Sequence, residues 1–464
     1  MSLGIHLGRN ARAALIGTLL AGAVIVGVAI GQLLASTDTL VTINPQKSFQ
    51  TISGWEVTAD LAENPANPEW SAYRETLMDK AVFDIGINRI RLEVRSGAET
   101  RSDVITRFIR GEMSFDRWKG MRYDAENDND DPFTINAAGF NFDELDWHVR
   151  TTVLPMMERL RQRGERLMVN LCFVSFGDGK QLHTDPEEYA EFVLATYQHL
   201  DQTFGFVPDI WEVMLEPDLD KNDWTGVAMG QAMAAAGRRL AEAGYQPAFA
   251  APSVTDMANT LSYAQDILSV PGATDYWREL TYHRYRHASP RTLDLIAVFA
   301  EHNNLQTGML EWWFGNADHK VLMEDLVVGN NSAWQGRALI GLMRPGSKAE
   351  TGETLQYQDE IRFNRLFFNA IRAGAVRIDA LSADMRHVRP VAFRDTEGGI
   401  VVVMDVASPS RIGLRTMPQG SYTVTYEFED GGKRDSETVF LGHPGVLDIT
   451  MPSAGVVSVV PSSN

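Results

Sequence analysis

Two short apolar runs in this chain each end on a glutamate. One is Trp211-Glu212-Val213-Met214-Leu215-Glu216, continued by Pro217-Asp218; the other is Gly308-Met309-Leu310-Glu311, continued by Trp312-Trp313. A short apolar run reads as a buried strand. A carboxylate at the C-terminal end of a barrel strand reads as catalytic. Two such carboxylates on different strands of one barrel suit the cleavage of a glycosidic bond. One acid protonates the leaving oxygen, and the other carboxylate attacks the anomeric carbon, or activates water, from the opposite face. The acid must keep its proton near neutral pH, which burial and a neighbouring carboxylate can arrange. Glu216 and Glu311 are therefore the candidate catalytic pair.

Both glutamates need strands of one sheet to bring them together, and the sequence supplies such strands. Apolar runs at 51–56, 87–94, 166–173, 210–215, 248–252, 279–283 and 307–310 read as strands, and an eighth at 334–342 also suits a helix. Helical patterns lie between them. Asp185-Pro186-Glu187-Glu188 is a helix start with an N-cap, a first-turn proline and a capping-box glutamate. A second helix over 227–242 stops at Gly244, a C-cap residue. Alternating strands and helices predict a parallel sheet, and their number predicts a (β/α)8 TIM barrel over 45–374. Residues 39–47 read as a polar, β-prone linker before it. After Gly374 the runs at 400–406, 421–429 and 456–460 are β-branched, with turns at Gly398-Gly399 and Gly431-Gly432. The class is thus α/β, with a C-terminal all-β domain, read as a β-sandwich, over 375–464. All ten tryptophans precede residue 335, so the large aromatic surfaces belong to the barrel.

The 464 residues are 44% hydrophobic, enough for a sizeable core, and carry a net charge of −19. No dense Lys/Arg block is present, which excludes nucleic acid as a partner because phosphate binding needs clustered positive charge. The single cysteine, Cys172, reads as a small buried core residue. At the N-terminus, Arg9 and Arg12 precede an uncharged stretch over 13–35. Residues 1–37 read as a signal anchor with the N-terminus inside, or alternatively as a cleaved signal peptide. Either reading exports the rest of the chain to the cell envelope or beyond, and any membrane contact is through this segment only. Oligomeric state is not readable.

The run Trp211-Glu212-Val213-Met214-Leu215-Glu216-Pro217-Asp218 resembles the acid/base strand of clan A glycoside hydrolases, which commonly ends Asn-Glu-Pro. Met309-Leu310-Glu311-Trp312-Trp313 resembles the nucleophile strand of the same clan. The opening Phe49-Gln50-Thr51-Ile52-Ser53-Gly54-Trp55 and the stretch from Phe363 to Gly374 are similar to glycoside hydrolase family 30, where the latter leads from barrel to β-sandwich. The resemblance covers residues 45 to 464. It implies a retaining mechanism by double displacement, with Glu216 as acid/base and Glu311 as nucleophile. It also implies that Arg91 supports the nucleophile, that His283 and Tyr285 form a His-x-Tyr on strand six, and that Tyr285 hydrogen-bonds Glu311. One residue departs from the pattern. The clan's asparagine before the acid/base, which binds the sugar 2-hydroxyl, is Leu215 here.

Trp55, Trp312 and Trp313 fall at strand ends and are candidates for stacking on sugar, with core filling as the alternative. Glu212 lies on the same strand face as Glu216 but lower in the barrel, so it reads as a buried structural partner. Asp124, Glu126, Asp128 and Asp130 alternate in an acidic loop that lacks the central Gly and closing Glu of a calcium loop, and it reads as solvated or sugar-binding. No metal and no cofactor is expected. The expected function is a retaining β-glycosidase acting on an extracellular or cell-envelope polysaccharide or glycoconjugate. The alternatives are a related family 39-like glycosidase or transglycosylase, and a non-catalytic carbohydrate-binding protein on a degenerate barrel, for which Leu215 is the motive.

Overall fold

The computed structural model describes residues 37–59, 68–177, 181–219, 223–345, 355–432 and 436–462. The expected signal anchor lies outside the described residues, apart from Thr37. Among the described residues no helix is long and apolar enough to cross a membrane. The chain divides into two compact units, a barrel and a β domain.

The first strand, β1 (Thr37–Thr51), precedes the barrel. The barrel closes from eight parallel strands in chain order: β2 (Gly54–Thr58), β3 (Arg89–Arg95), β4 (Met168–Val174), β5 (Ile210–Glu212), β6 (Phe249–Asp256), β7 (Trp277–Arg286), β8 (Gln306–Glu311) and β9 (Asn331–Trp334). Closure is made where Gly54 and Trp55 pair with Ala333 and Trp334. Strands such as β3 are buried along their whole length, as expected when helices cover one face and the barrel interior the other. The interior beneath the site is ionic. Arg89 donates to Glu56 at 2.5 Å and, through both terminal nitrogens, to Glu279 at 2.7 and 2.8 Å. Asn170 donates to the fully buried Glu212 at 2.9 Å, so Glu212 is a structural partner within this layer.

The eighth strand differs from expectation. It is Asn331–Trp334, and the stretch read as the strand ends in a 3-10 turn, Leu339–Leu342. Its two polar residues hide it in the sequence. Asn331 is buried because the Tyr282 hydroxyl bonds to it at 2.9 Å. The helix after β4 runs Pro186–Phe204, capped by Asp185 at Glu187 N and Glu188 N and ended by Gly205. The helix after β5 runs Gly226–Glu242.

Between β3 and the helix Asp143–His148 lies a long insertion with helices Val104–Ile109 and Phe115–Met121. It carries its own small core of Ile105, Phe108, Met113 and Trp118. Asp128 in its acidic stretch is not solvated. It is buried, accepts from Asn136 N and bonds through its own N–H to Glu99 at 3.0 Å. This carboxylate therefore organises the loop from within.

Past the barrel, β10 (Met343–Pro345) pairs with β11 (Leu355–Tyr357). The β domain contains β12 (Val376–Ser382), β13 (Val388–Arg394), β14 (Ile400–Val406), β15 (Ser410–Met417), β16 (Gly420–Phe428), β17 (Glu437–Leu441), β18 (Gly445–Met451) and β19 (Gly455–Pro461). Hydrogen bonding joins nine strands in the order β17-β16-β19-β14-β13-β12-β1-β15-β18. The expected linker at 39–47 is thus part of a strand. Thr39, Val41 and Ile43 point inward in strict alternation, and the strand runs parallel to β15 from Thr37↔Ser410 to Thr42↔Arg415. By lying between β12 and β15, β1 links all nine strands by hydrogen bonding.

Candidate active site

Glu216 lies four residues beyond the end of β5, in a turn that the sequence after it fixes. Its φ is +53°, a left-handed conformation that is costly for a residue with a Cβ. The turn is held by Glu216 N donating to Ser253 O at 3.1 Å and by Asp218. The Asp218 carboxylate accepts from Thr255 N at 2.7 Å, Asp256 N at 3.0 Å and Asn259 Nδ2 at 2.9 Å. The Glu-Pro-Asp sequence thus pins the strained glutamate to the end of β6.

Glu311 is the last residue of β8 and is 6% exposed. Arg91, midway along β3, donates to its Oε2 at 2.6 Å, and the Tyr285 hydroxyl donates to its Oε1 at 2.7 Å. Arg91 also pairs with Glu93 at 2.9 Å, and its guanidinium sits 5.2 Å from the Trp313 ring centroid. His283, fully buried on β7, bonds through Nδ1 to Glu216 Oε1 at 3.0 Å. The structure therefore gathers Glu216, Glu311, Arg91, His283 and Tyr285 at one place.

Carboxylate oxygens of Glu216 and Glu311 and a ring nitrogen of His283 all lie within 4.8 Å of one another. Among the described residues this is the one trio of ligand atoms close enough to share a metal ion. Arg91 already brings positive charge to Glu311. The three groups titrate as a set. Burial lowers the His283 pKa, but the Glu216 hydrogen bond and the charges of Glu311, Glu216 and Glu212 outweigh it and raise it above 6.5. Burial pushes Glu216 up, but the His283 bond and charge and Arg91 bring it below its ordinary 4.5. Glu311 stands above 4.5, because burial, assisted by Glu216, outweighs Arg91, His283 and Tyr285. These directions favour a proton on His283 over Glu216, its hydrogen-bond partner at 3.0 Å, so Glu216 does not itself hold the raised value expected of the acid.

Both glutamates open on a cleft of about 470 Å³, lined among others by Glu93, Arg95, Tyr123, Phe176, Leu215 and Trp313. Trp313 is held there by its indole N–H donating to Gln335 at 2.9 Å. The other two tryptophan candidates are corrected. Trp55 is fully buried, donates to Ile371 O at 2.7 Å and stacks on Phe368 at 4.8 Å. Period two explains it: Glu56 takes the inward position on β2, so Trp55 faces the helix outside. Trp312 is turned under Arg284, 5.5 Å from its ring centroid, and against Gly315, so it does not line the cleft.

Leu215 lines the cleft floor. It is 6% exposed and packs with Cys172, Val174 and Tyr123. A sugar hydroxyl finds no hydrogen bond from that side chain. Lys119, Arg122, Tyr123 and Phe176 were not read as site residues. They reach the cleft from the helix Phe115–Met121, from the residues just after it and from the loop after β4, and no sequence spacing marks them.

No family model matches the chain, and no curated protein matches it. Solved structures match its fold. The catalytic domain of a GH30 xylanase C from Talaromyces cellulolyticus aligns with TM-score 0.67 at 17% identity, over 91% of this chain and 100% of that one. A GH30 endoxylanase from Clostridium papyrosolvens aligns with TM-score 0.63 at 14% identity, over 92% and 100%. A GH39 enzyme from Xanthomonas axonopodis pv. citri aligns with TM-score 0.52 at 12% identity, over 92% and 98%. The chain thus shares, along nearly its whole length, the fold of clan A glycoside hydrolases of families 30 and 39.

Proposed function

We propose that this chain is a retaining β-glycoside hydrolase acting on an extracellular or cell-envelope polysaccharide or glycoconjugate. One observation carries the reading: carboxylate oxygens of Glu216 and Glu311 lie within 4.8 Å of one another across the floor of one cleft. So close an approach of single oxygens suits a retaining pair, whose carboxyl groups stand roughly 5–5.5 Å apart, better than an inverting pair, which leaves about 6.5–9.5 Å for a water. Glu311, oriented by Arg91 and Tyr285, attacks the anomeric carbon and forms a covalent glycosyl-enzyme. Glu216 passes to the departing oxygen a proton that it receives from His283, its hydrogen-bond partner. Water then enters on the same face, Glu216 takes its proton, and the Glu311–sugar bond breaks. Export rests on Arg9, Arg12 and the uncharged stretch over 13–35. The matched xylanases and GH39 enzyme support a glycan substrate by likeness of fold.

The test is reducing-sugar release from a broad β-glycan panel by the parent chain, Glu216→Gln and Glu311→Gln. Activity in the parent and its loss in both variants is expected. Activity untouched by either change would sink the assignment. Leu215 favours a second reading, a glycan-binding barrel without turnover. Tight glycan binding that survives both substitutions, with no hydrolysis by the parent, would establish it instead.

A further inference from the structure

This inference rests on the glycosidase reading and concerns the chemistry of its substrate. The chain carries 61 acidic against 42 basic residues, so its overall field repels anions. Three cations nevertheless line the cleft that holds the two glutamates: Arg95, Lys119 and Arg122. Arg95 is committed elsewhere. It pairs with Glu93, which also takes Arg91, and it reaches Glu144 at 3.4 Å.

Arg122 differs. Among the described residues no carboxylate or carbonyl accepts a hydrogen bond from its guanidinium, and its Nε is buried without a partner. Glu93 feels its charge without forming a salt bridge to it. The side chain is not loose. Its guanidinium lies 5.0 Å from the ring centroids of both Trp118 and Tyr123. Trp118 is anchored in the core of the insertion, and Tyr123 packs on Leu215, the neighbour of Glu216. A planar fork that lines the cleft, is held between two aromatic rings and has terminal nitrogens bonded to no protein acceptor among the described residues is suited to a planar or tetrahedral oxyanion. The apolar floor at Leu215 offers nothing to a sugar hydroxyl there, so recognition falls to this adjoining wall.

We infer that Arg122, with Lys119 beside it, forms a subsite for an anionic substituent, a carboxylate or a sulfate ester, on the sugar held next to the glutamate pair.

The experiment uses the full chain carrying Glu311→Gln, so that binding is read without turnover. It is titrated with xylan oligosaccharides with and without a glucuronate branch, with galactan oligosaccharides with and without sulfate esters, and with free glucuronate and inorganic sulfate. Arg122→Ala, Arg122→Lys and Lys119→Ala are compared in the same background, with thermal melts to show that each is folded. An anionic probe should bind, and more tightly than its neutral counterpart. Arg122→Ala should weaken it at least about tenfold, the worth of a charge-assisted hydrogen bond, while neutral probes change little. Arg122→Lys should recover part of the loss. Preference for the uronate arm or the sulfate arm identifies the group. Absence of binding by every anionic probe, or binding that Arg122→Ala leaves unchanged in a folded protein, overturns the inference. Hydrolysis of neutral glycans alone would do so while leaving the glycosidase reading intact. Anion binding lost in Arg122→Ala, in a chain whose parent hydrolyses nothing, would uphold the subsite and defeat the glycosidase reading.

Discussion

Tyr285→Phe removes one hydroxyl and leaves the ring. That ring packs near His283 and Phe314, at centroid distances of 6.0 and 5.9 Å, so the cleft keeps its shape. What is lost is the 2.7 Å hydrogen bond to Glu311 Oε1 and a long 3.3 Å bond accepted from Trp313 N. A hydrogen bond to a charged group is worth about 1.5–3 kcal/mol. If that whole amount orients the attacking carboxylate, kcat/KM falls roughly ten- to hundredfold at the optimum, at about 1.4 kcal/mol per tenfold. The change also has a pH signature. Burial already holds Glu311 above its ordinary value, and Tyr285 is among the groups that oppose burial. Without it the carboxyl moves further up, so a larger share of the nucleophile is protonated in mild acid. The acidic limb of kcat/KM must therefore shift to higher pH, and the variant's deficit must grow as pH falls. The assay is kcat/KM against pH on whichever β-glycan the panel identifies, with a thermal melt as control. An acidic limb that stays put, or moves down, would refute the assigned roles even if the rate drops.

In the parent, activity should vanish as pH falls through the raised Glu311 value, above 4.5, and again as pH rises through the raised His283 value, above 6.5. In His283→Gln the alkaline limb should move to lower pH, because a carboxyl then holds the proton alone; a pH–rate profile decides this. Asp218→Ala frees the turn that holds Glu216 at positive φ, and should lower kcat at least about tenfold with a loss of stability on the order of 1–3 kcal/mol, read by denaturant titration. Trp55→Ala should cost about 3–5 kcal/mol of stability without a specific rise in KM, whereas Trp313→Ala should raise KM at nearly unchanged stability.

The sequence marked the elements whose signals are local. The helix start at Asp185 and the stop at Gly244 depend on one or two residues, and both appear where spacing put them. Glu216 and Glu311 were legible because each closes an apolar run, whereas Glu56, Arg89 and Glu279, buried as ion pairs within their strands, carry no such mark. Polar pairing across the chain was not legible. Asn331 and Ser332 look like loop residues until Tyr282, from a strand some fifty residues earlier, bonds Asn331 in the wall. β1 was hidden for a related reason. Its alternation covers few residues, and its partner β15 enters only after the whole barrel has been made. The tryptophans show the limit of strand-end reasoning: parity, not position, separates Trp55 in the core from Trp313 in the cleft.

Leu215 illustrates how binding energy can be moved within a site. An asparagine there would contribute several kcal/mol through a hydroxyl bond that strengthens in the transition state. Leucine instead packs on Tyr123, and Tyr123 holds one face of the Arg122 guanidinium. The apolar side chain thus supports the wall in the same place where it withholds a hydrogen bond. If the wall grips an anionic group on the scissile sugar, that grip can supply the orientation the 2-hydroxyl contact would have given. Restoring asparagine would then add a polar group against Tyr123 and loosen Arg122. Leu215→Asn should therefore weaken the anionic substrate rather than improve it, and an improvement would show that the two features are independent.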